Sequence, residues 1–300
     1  MSDVPLDRLT TEARNPRSED LDRLSALDFV RLMNDEEVAA ARAVGAVAGR
    51  IAEALEMCAA RVARGGRLIH VGAGTSGRLG VLDAVECPPT FNVAPEVVVG
   101  LIAGGERAFV RAVEGAEDSV EAGAADLRAL AVSAQDAVVG IAASGRTPYV
   151  IGALREARAR GAATVAVACN ADAPISREAE VAIEVVVGPE VLTGSTRLKA
   201  GTATKLVLNT LSTGVMVRLG KTYGNLMVDV QATNLKLVAR SRRIVAQATG
   251  LSPDAAARAL DAAAGEVKTA IVATRLAVSP EQARARLRAA QGRVRDALGE

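Results

Sequence analysis

The chain has 300 residues, half of them apolar, and its 36 Lys and Arg residues nearly balance 35 Asp and Glu. That length is enough for one large α/β core with a small accessory domain. The balanced charge excludes a global field that would recruit nucleic acid or an acidic membrane surface, so any anion must be held by local geometry.

Three scattered cysteines, Cys58, Cys87 and Cys169, and an N-terminus without basic and apolar blocks point to a reducing cytoplasm. No apolar run reaches the roughly 20 residues of a membrane-spanning helix. The single histidine, His70, sits in the apolar run Leu68-Ile69-His70-Val71 and reads as a packed, hydrogen-bonded strand residue. It leaves little for a multi-histidine metal site or a Ser-His-Asp triad, so no metal is expected and acid–base chemistry falls to carboxylates.

Across residues 18–64, Leu21, Leu24, Leu27, Val30 and Leu32, then Val38, Val44, Val47, Ile51 and Leu55, recur at near-helical spacing and predict two or three helices. Short β-rich runs punctuated by glycine follow at 68–71, 97–102, 137–141, 164–168 and 182–187, each separated by room for a helix. Continuously apolar strands alternating with helices predict a doubly wound α/β fold, a parallel sheet covered on both faces. A long helix is expected over 197–219, entered through Thr193-Gly194-Ser195-Thr196, whose hydroxyls suit a cap. From about residue 241 the chain is Ala-rich, and Ser252-Pro253 and Ser279-Pro280 read as cap-plus-first-turn pairs of a small helical bundle. The expected organisation is an N-terminal helical segment over 1–64 packing on the core, an α/β domain over 65–240, and a small three-helix domain over 241–300.

The first strand runs into Gly72-Ala73-Gly74-Thr75-Ser76-Gly77-Arg78, a glycine-rich turn between strand and helix. Backbone amides and the helix dipole can there point at an anion, as in a phosphate cradle. The spacing also satisfies G-x-G-x-x-G, but a dinucleotide site needs an acid at the end of the second strand, and none precedes Glu106. The third strand runs into Ser144-Gly145-Arg146-Thr147-Pro148, where Thr147 suits the cap position and Pro148 the first helical turn. In an open parallel sheet both loops emerge at the carboxyl edge, and Ser76, Ser144 and Thr147 can donate to one phosphate monoester. Each loop taken alone also reads as ordinary turn and capping residues. Arg78 and Arg146 each follow a Ser-Gly and suit either an anion or a surface ion pair.

Two carboxylates stand out. In Leu82-Asp83-Ala84-Val85-Glu86-Cys87-Pro88-Pro89, the double proline is expected to end the helix, placing Glu86 in a last turn where the dipole favours the protonated form of an acid. Glu117, in Glu114-Gly115-Ala116-Glu117-Asp118-Ser119, precedes a helix start, where the dipole favours the ionised form of a base. Solvated or capping acids are the plainer reading of Glu117 and Asp118, and spacing alone does not bring Glu86 and Glu117 together.

These stretches resemble the N-acetylmuramic acid 6-phosphate etherases, a family of sugar isomerase domain proteins. The likeness runs from Thr11-Glu12-Ala13-Arg14-Asn15-Pro16 to Gly224-Asn225-Leu226-Met227-Val228-Asp229, and it is most specific around Glu86 and Glu117. The resemblance implies a flavodoxin-like three-layer αβα fold and cleavage of the lactyl ether at carbon 3 of the sugar, giving N-acetylglucosamine 6-phosphate and D-lactate in peptidoglycan recycling. It implies Glu86 as proton donor and Glu117 as the second acid–base residue. Gly74, Thr75, Ser76, Gly77, Ser144, Gly145, Thr147, Ser195 and Lys199 are the expected phosphate and sugar contacts. No cofactor is implied, and the expected partners are a small sugar phosphate and a second copy of the chain as a homodimer, with no nucleic acid or membrane. A sugar-phosphate isomerase or a sugar-phosphate-binding regulatory module would share the cradle loops without needing both glutamates.

Overall fold

The computed structural model describes residues 9–111, 113–229 and 235–300. It divides into two compact units, Met1–Val85 with Glu96–Ser212, and Glu86–Pro95 with Thr213–Glu300.

The first unit opens with 3-10 turns at Thr10–Glu12, Pro16–Ser18 and Leu21–Arg23. The periodic apolar positions that follow become α1 (Ala26–Ala46), capped by the Ser25 hydroxyl on the Asp28 amide, and α2 (Ala48–Val62). The two helices use their apolar residues differently. In α2, Ile51, Ala54, Cys58 and Val62 form one buried stripe at helical spacing, and the helix packs on the sheet. In α1 only Leu32, Glu36 and Ala40 are buried, while Leu27 is 58% and Val30 61% exposed.

The sheet strands are β1 (Leu68–Gly72), β2 (Val98–Ile102), β3 (Ala137–Ile141), β4 (Ala163–Ala168) and β5 (Val181–Glu184). The connections carry α3 (Gly74–Phe91), α4 (Arg107–Val110), α5 (Val120–Ala129) and α6 (Pro148–Ala159), and α7 (Lys199–Arg218) follows the last strand. All pairings are parallel and the order is β2-β1-β3-β4-β5, the flavodoxin-like doubly wound arrangement expected from the alternation of strands and helices. Every residue of β1, β3 and β4 is buried, which is why these strands read as apolar runs interrupted only by His70 and Thr164. His70 lies within β1, fully buried, its Nε2 3.0 Å from Asp83 Oδ2, and Ser212 donates to the other oxygen of Asp83 at 3.1 Å.

Register decides where the loops emerge. Gly72, the last residue of β1, pairs with Ile102 of β2 on one side and Ile141 of β3 on the other. The loops leaving these three strands therefore rise from one edge at one height. The chain steps outward from β1 to β2 and then crosses over to β3, so the topological switch point where open α/β sheets bind ligands lies between β1 and β3 at this edge.

Two local expectations are corrected. The double proline does not stop α3: Pro88 and Pro89 lie inside it, and the helix runs on to Phe91. A proline removes its own amide and crowds the carbonyl four residues back, but later amides can still close turns, as Asn92 N does on Pro88 O at 2.9 Å. The helix stops after Phe91, where Asn92 takes φ of +49°. Glu86 thus sits more than a turn from the C-terminus, and the last-turn dipole argument for its protonation loses its basis. The second correction concerns α7, which starts at Lys199 and takes its cap from a carboxylate rather than from the Thr193, Ser195 or Thr196 hydroxyls. Buried Glu190 accepts the amides of Lys199 and Ala200, each at 2.9 Å.

In the second unit β6 (Thr222–Tyr223) and β7 (Leu226–Met227) form a hairpin across Gly224-Asn225. After it come α8 (Leu235–Thr249), α9 (Pro253–Ala262), α10 (Val267–Leu276), α11 (Pro280–Ala289) and α12 (Val294–Leu298), around a core that includes Val245, Leu260, Ile271 and Leu287. Ser252 and Ser279 cap α9 and α11 with a proline in the first turn, as expected. Four helices follow α8 where three were expected. Ala264, Ala277 and Gln291 take positive φ at the breaks, and none of these residue types signals a turn in the sequence.

Candidate active site

The turn from β1 into α3 is held by close backbone approach. A side-chain carbon on Gly72 would lie 2.7 Å from Gly77 N, and one on Gly77 would lie 2.7 Å from Gly72 O, so only glycines let the helix start this near the strand end. Gly77 N donates to Ala73 O at 3.1 Å, leaving the earlier first-turn amides of Gly74, Thr75 and Ser76 directed off the helix end. Gly74 is exposed and Thr75 and Ser76 are half-buried. Together with the positive end of the helix dipole they make a donor set for an anion.

The second loop leaves β3 beside it, since adjacent strands lie about 4.8 Å apart. Gly145 N donates to Ala142 O at 2.8 Å, Arg146 N donates to Ser144 Oγ at 3.3 Å, and Gly145 adopts φ of +72°. A side-chain carbon on Gly145 would come within 2.3 Å of Ala173 Cβ. Thr147 is the cap residue of α6 by position, with Pro148 next, yet its hydroxyl makes no capping bond. It stays available to a ligand at a half-buried position.

The first turn of α7 borders the first loop. A side-chain carbon on Gly201 would meet Thr75 Cγ2 at 3.8 Å and Thr196 O at 3.6 Å. Ser195 is half-buried in the turn preceding the helix, its amide donating to Leu192 O. Lys199 points elsewhere. Its ammonium is buried 2.6 Å from Glu36 Oε2, and Glu36 also accepts from Asn15 at 3.1 Å and Arg17 at 2.8 Å. Burial pushes the Glu36 carboxyl up, but Lys199, Asn15 and Arg17 outweigh it and hold the group below the usual carboxylate range. Glu190, by contrast, is raised: burial dominates over the two helix amides and Lys199.

Glu117 lies in a 3-10 turn, Ala116–Asp118, exposed and two residues ahead of Ser119, whose hydroxyl caps α5 on the Ala122 amide. It lines a half-open cleft of about 160 Å³ together with Gly74 of the first loop, Arg78 and Glu114. Sequence spacing did not show that the Glu114–Glu117 stretch meets the first loop. The register does it, by bringing the loop after β2 alongside the loop after β1. Arg78 spans the cleft wall, its Nε donating to Phe109 O at 3.1 Å, and among the described residues it has no carboxylate partner. Glu86 is exposed on α3 within the second unit. Sequence reading gave Glu190 no role and left Arg78 between an anion contact and a surface ion pair. Glu190 carries no local signal, because a cap nine residues upstream of its helix matches no capping spacing.

The cysteines are buried, and burial pushes the Cys58 and Cys169 thiols up to about 12, so neither supplies a nucleophile near neutral pH. Among the described residues no helix is long and apolar enough to cross a membrane.

Comparison with known proteins identifies the scaffold and the family. A model of the glucokinase regulatory protein N-terminal SIS domain matches residues 50–158, and a SIS domain model matches residues 114–213. A crystal structure described as a phosphosugar isomerase involved in capsule formation, from Bacteroides fragilis, superposes with a TM-score of 0.50 at 20% identity. The superposition covers 65% of this chain and 91% of that one, and it supports the fold. The N-acetylmuramic acid 6-phosphate etherase of Mycolicibacterium smegmatis is 62% identical over 269 residues, 90% of each chain. Those of Streptomyces coelicolor and Clostridium beijerinckii are 62% and 55% identical, over 89% and 90% of this chain and 86% and 89% of theirs. The chain belongs to the N-acetylmuramic acid 6-phosphate etherase family and is built on a SIS domain.

Proposed function

We propose that this chain cleaves the D-lactyl ether of N-acetylmuramic acid 6-phosphate, yielding N-acetylglucosamine 6-phosphate and D-lactate, as a step in recycling cell-wall amino sugars. The observation that carries this reading is the identity to named etherases, 55–62% over about nine-tenths of the chain. The site geometry supports it through two anion-ready loops at one sheet edge and a carboxylate, Glu117, in a cleft beside the first.

In this reading the phosphate lies over the first-turn amides of Gly74, Thr75, Ser76 and Gly77, with Ser144, Gly145 and Thr147 approaching from the second loop. Ser195 borders the same edge. Lys199 contributes by pinning the start of α7 to Glu36 rather than by touching the sugar, because its ammonium is already committed. The open-chain aldehyde acidifies the hydrogen on carbon 2. Glu117 accepts that proton, the carbon 3–oxygen bond breaks, and Glu86 delivers a proton to the departing ether oxygen so that lactate leaves. Water then adds across the 2,3-double bond of the unsaturated aldehyde, its hydroxyl going to carbon 3 and a proton returning to carbon 2. The roles of the two glutamates come from the family resemblance, and each is the kind of positioned group that contributes about 10²–10⁴ in rate.

We also read the protein as a cytoplasmic homodimer. The exposed apolar side chains of α1, Leu27, Phe29, Val30 and Val38, are material for a subunit contact. Incubating the purified chain with N-acetylmuramic acid 6-phosphate and assaying D-lactate tests the activity. Lactate at the level of a protein-free control overturns it. Conversion of a sugar phosphate that lacks the lactyl group would favour an isomerase.

A further inference from the structure

We propose that Arg78 binds the carboxylate of the lactyl group, and that the cleft it shares with Gly74 and Glu117 is the subsite distinguishing a muramic acid phosphate from its de-lactylated product. This assignment rests on the etherase reading above and names a residue for the part of the substrate that leaves.

Size points to a fragment. Sites for whole small molecules run to about 300–1,000 Å³, whereas this cleft holds about 160 Å³. That suits a three-carbon acid and is too small for a sugar phosphate. Its chemistry matches lactate group by group. Ala73, Ala103, Ala108 and Val113 supply an apolar wall for the lactyl methyl. Among the described residues Arg78 supplies the only cation in the lining and has no carboxylate partner, and its Nε bond to the Phe109 carbonyl fixes the plane of the guanidinium. The remaining N–H groups then form a planar fork for a carboxylate.

Two acids, Glu114 and Glu117, share the lining, so an anion is accepted there only where it can reach Arg78. An amide or a hydroxyl in place of the lactyl carboxylate would leave the fork without a charged partner. The position also suits the reaction. Carbon 2, which loses its proton, neighbours carbon 3, which carries the ether, so a lactyl group seated in the cleft brings carbon 2 to its mouth beside Glu117. The phosphate, by contrast, is assigned to the helix-start amides and loop hydroxyls, which are separate donors.

The test compares three ligands on the full chain: N-acetylmuramic acid 6-phosphate, the same compound with its lactyl carboxylate converted to the primary amide, and N-acetylglucosamine 6-phosphate as a competitive inhibitor. The wild type is expected to use the acid roughly 10- to 100-fold better than the amide in kcat/KM, the range of a charge-assisted bond. R78Q should lose that preference, treating acid and amide alike to within about threefold, while its inhibition constant for N-acetylglucosamine 6-phosphate stays at the wild-type value. R78K should recover part of the preference.

If the wild type turns over acid and amide equally, the assignment is overturned without any variant being needed. It is also overturned if R78Q keeps the preference, or if R78Q loses affinity for N-acetylglucosamine 6-phosphate in parallel, since Arg78 would then serve the phosphate. If the wild type releases no lactate from the acid at all, the etherase reading itself fails, and the Arg78 assignment with it.

Discussion

The ammonium of Lys199 lies 2.6 Å from Glu36 Oε2, and the two side chains are only 4% and 7% exposed, so the start of α7 is tied to the middle of α1 by a buried ion pair. Removing Glu36 leaves the Lys199 ammonium buried without its hydrogen-bonded carboxylate, so E36A should destabilise the protein by about 3–5 kcal/mol. K199A should cost less, because Glu36 keeps Arg17 and Asn15. Urea unfolding followed by circular dichroism checks this, and a change under about 1 kcal/mol would show that the pair is not carrying the contact.

The same pair has a pH signature. Glu36 is held below the usual carboxylate range in the folded state, so its contribution is fully present above its unfolded value and is lost as pH falls through the lower folded value. Glu190 is raised in the folded state and carries the opposite sign: its ionisation costs stability as pH climbs from the ordinary carboxylate range through the higher folded value. E36Q should flatten the acid limb of stability against pH, and E190Q should remove the opposing slope above it. Chemical denaturation between pH 3 and about 7 measures both, with the folded state monitored across that range.

Glu190 also caps α7. E190A strips two amides of their acceptor at a buried helix start and should cost about 1–2 kcal/mol, visible as a lowered unfolding midpoint. Since α7 begins against Thr75, the variant should also raise KM for the sugar phosphate.

For the chemical step, E117Q and E86Q should each lower kcat by about 10²–10⁴ while leaving thermal unfolding within a degree or two. The assigned roles separate them further. In deuterated water E86Q should still exchange the hydrogen at carbon 2 while releasing lactate slowly, whereas E117Q should do neither. Mass spectrometry of recovered substrate distinguishes the two, and the reverse pattern would exchange the roles.

Gly145 combines φ of +72° with a site where an added carbon would stand 2.3 Å from Ala173 Cβ. G145A should cost about 1–3 kcal/mol through strain and displacement of the loop. Because Ser144 and Thr147 flank it, KM should rise more than kcat falls. A wild-type KM for this variant would place the phosphate elsewhere.

Strand periodicity, glycine-rich turns and cap residues act over a few neighbours, and such features could be read directly. The five strands of the sheet, the caps Ser252 and Ser279, and the loops at Gly72 and Gly145 all follow from local sterics and hydrogen bonding. The etherase likeness was legible too, in the stretches around Glu86 and Glu117. What could not be read depends on residues distant in the chain. Whether α1 buries Leu27 or leaves it in solvent is decided by what packs against it, which periodicity does not encode. The reach of α3 past two prolines depends on amides further along that still find acceptors. Glu190 becomes the cap of α7, and Lys199 the partner of Glu36, only through tertiary approach. The meeting of Gly74, Arg78 and Glu117 in one cleft is likewise a product of strand register, since Gly72 pairs with Ile102 across nearly thirty residues of sequence. Local chemistry thus determined which residues are able to bind and react, while the parallel register decided which of them share a site, because hydrogen bonding between strands sets the height at which each loop leaves the sheet.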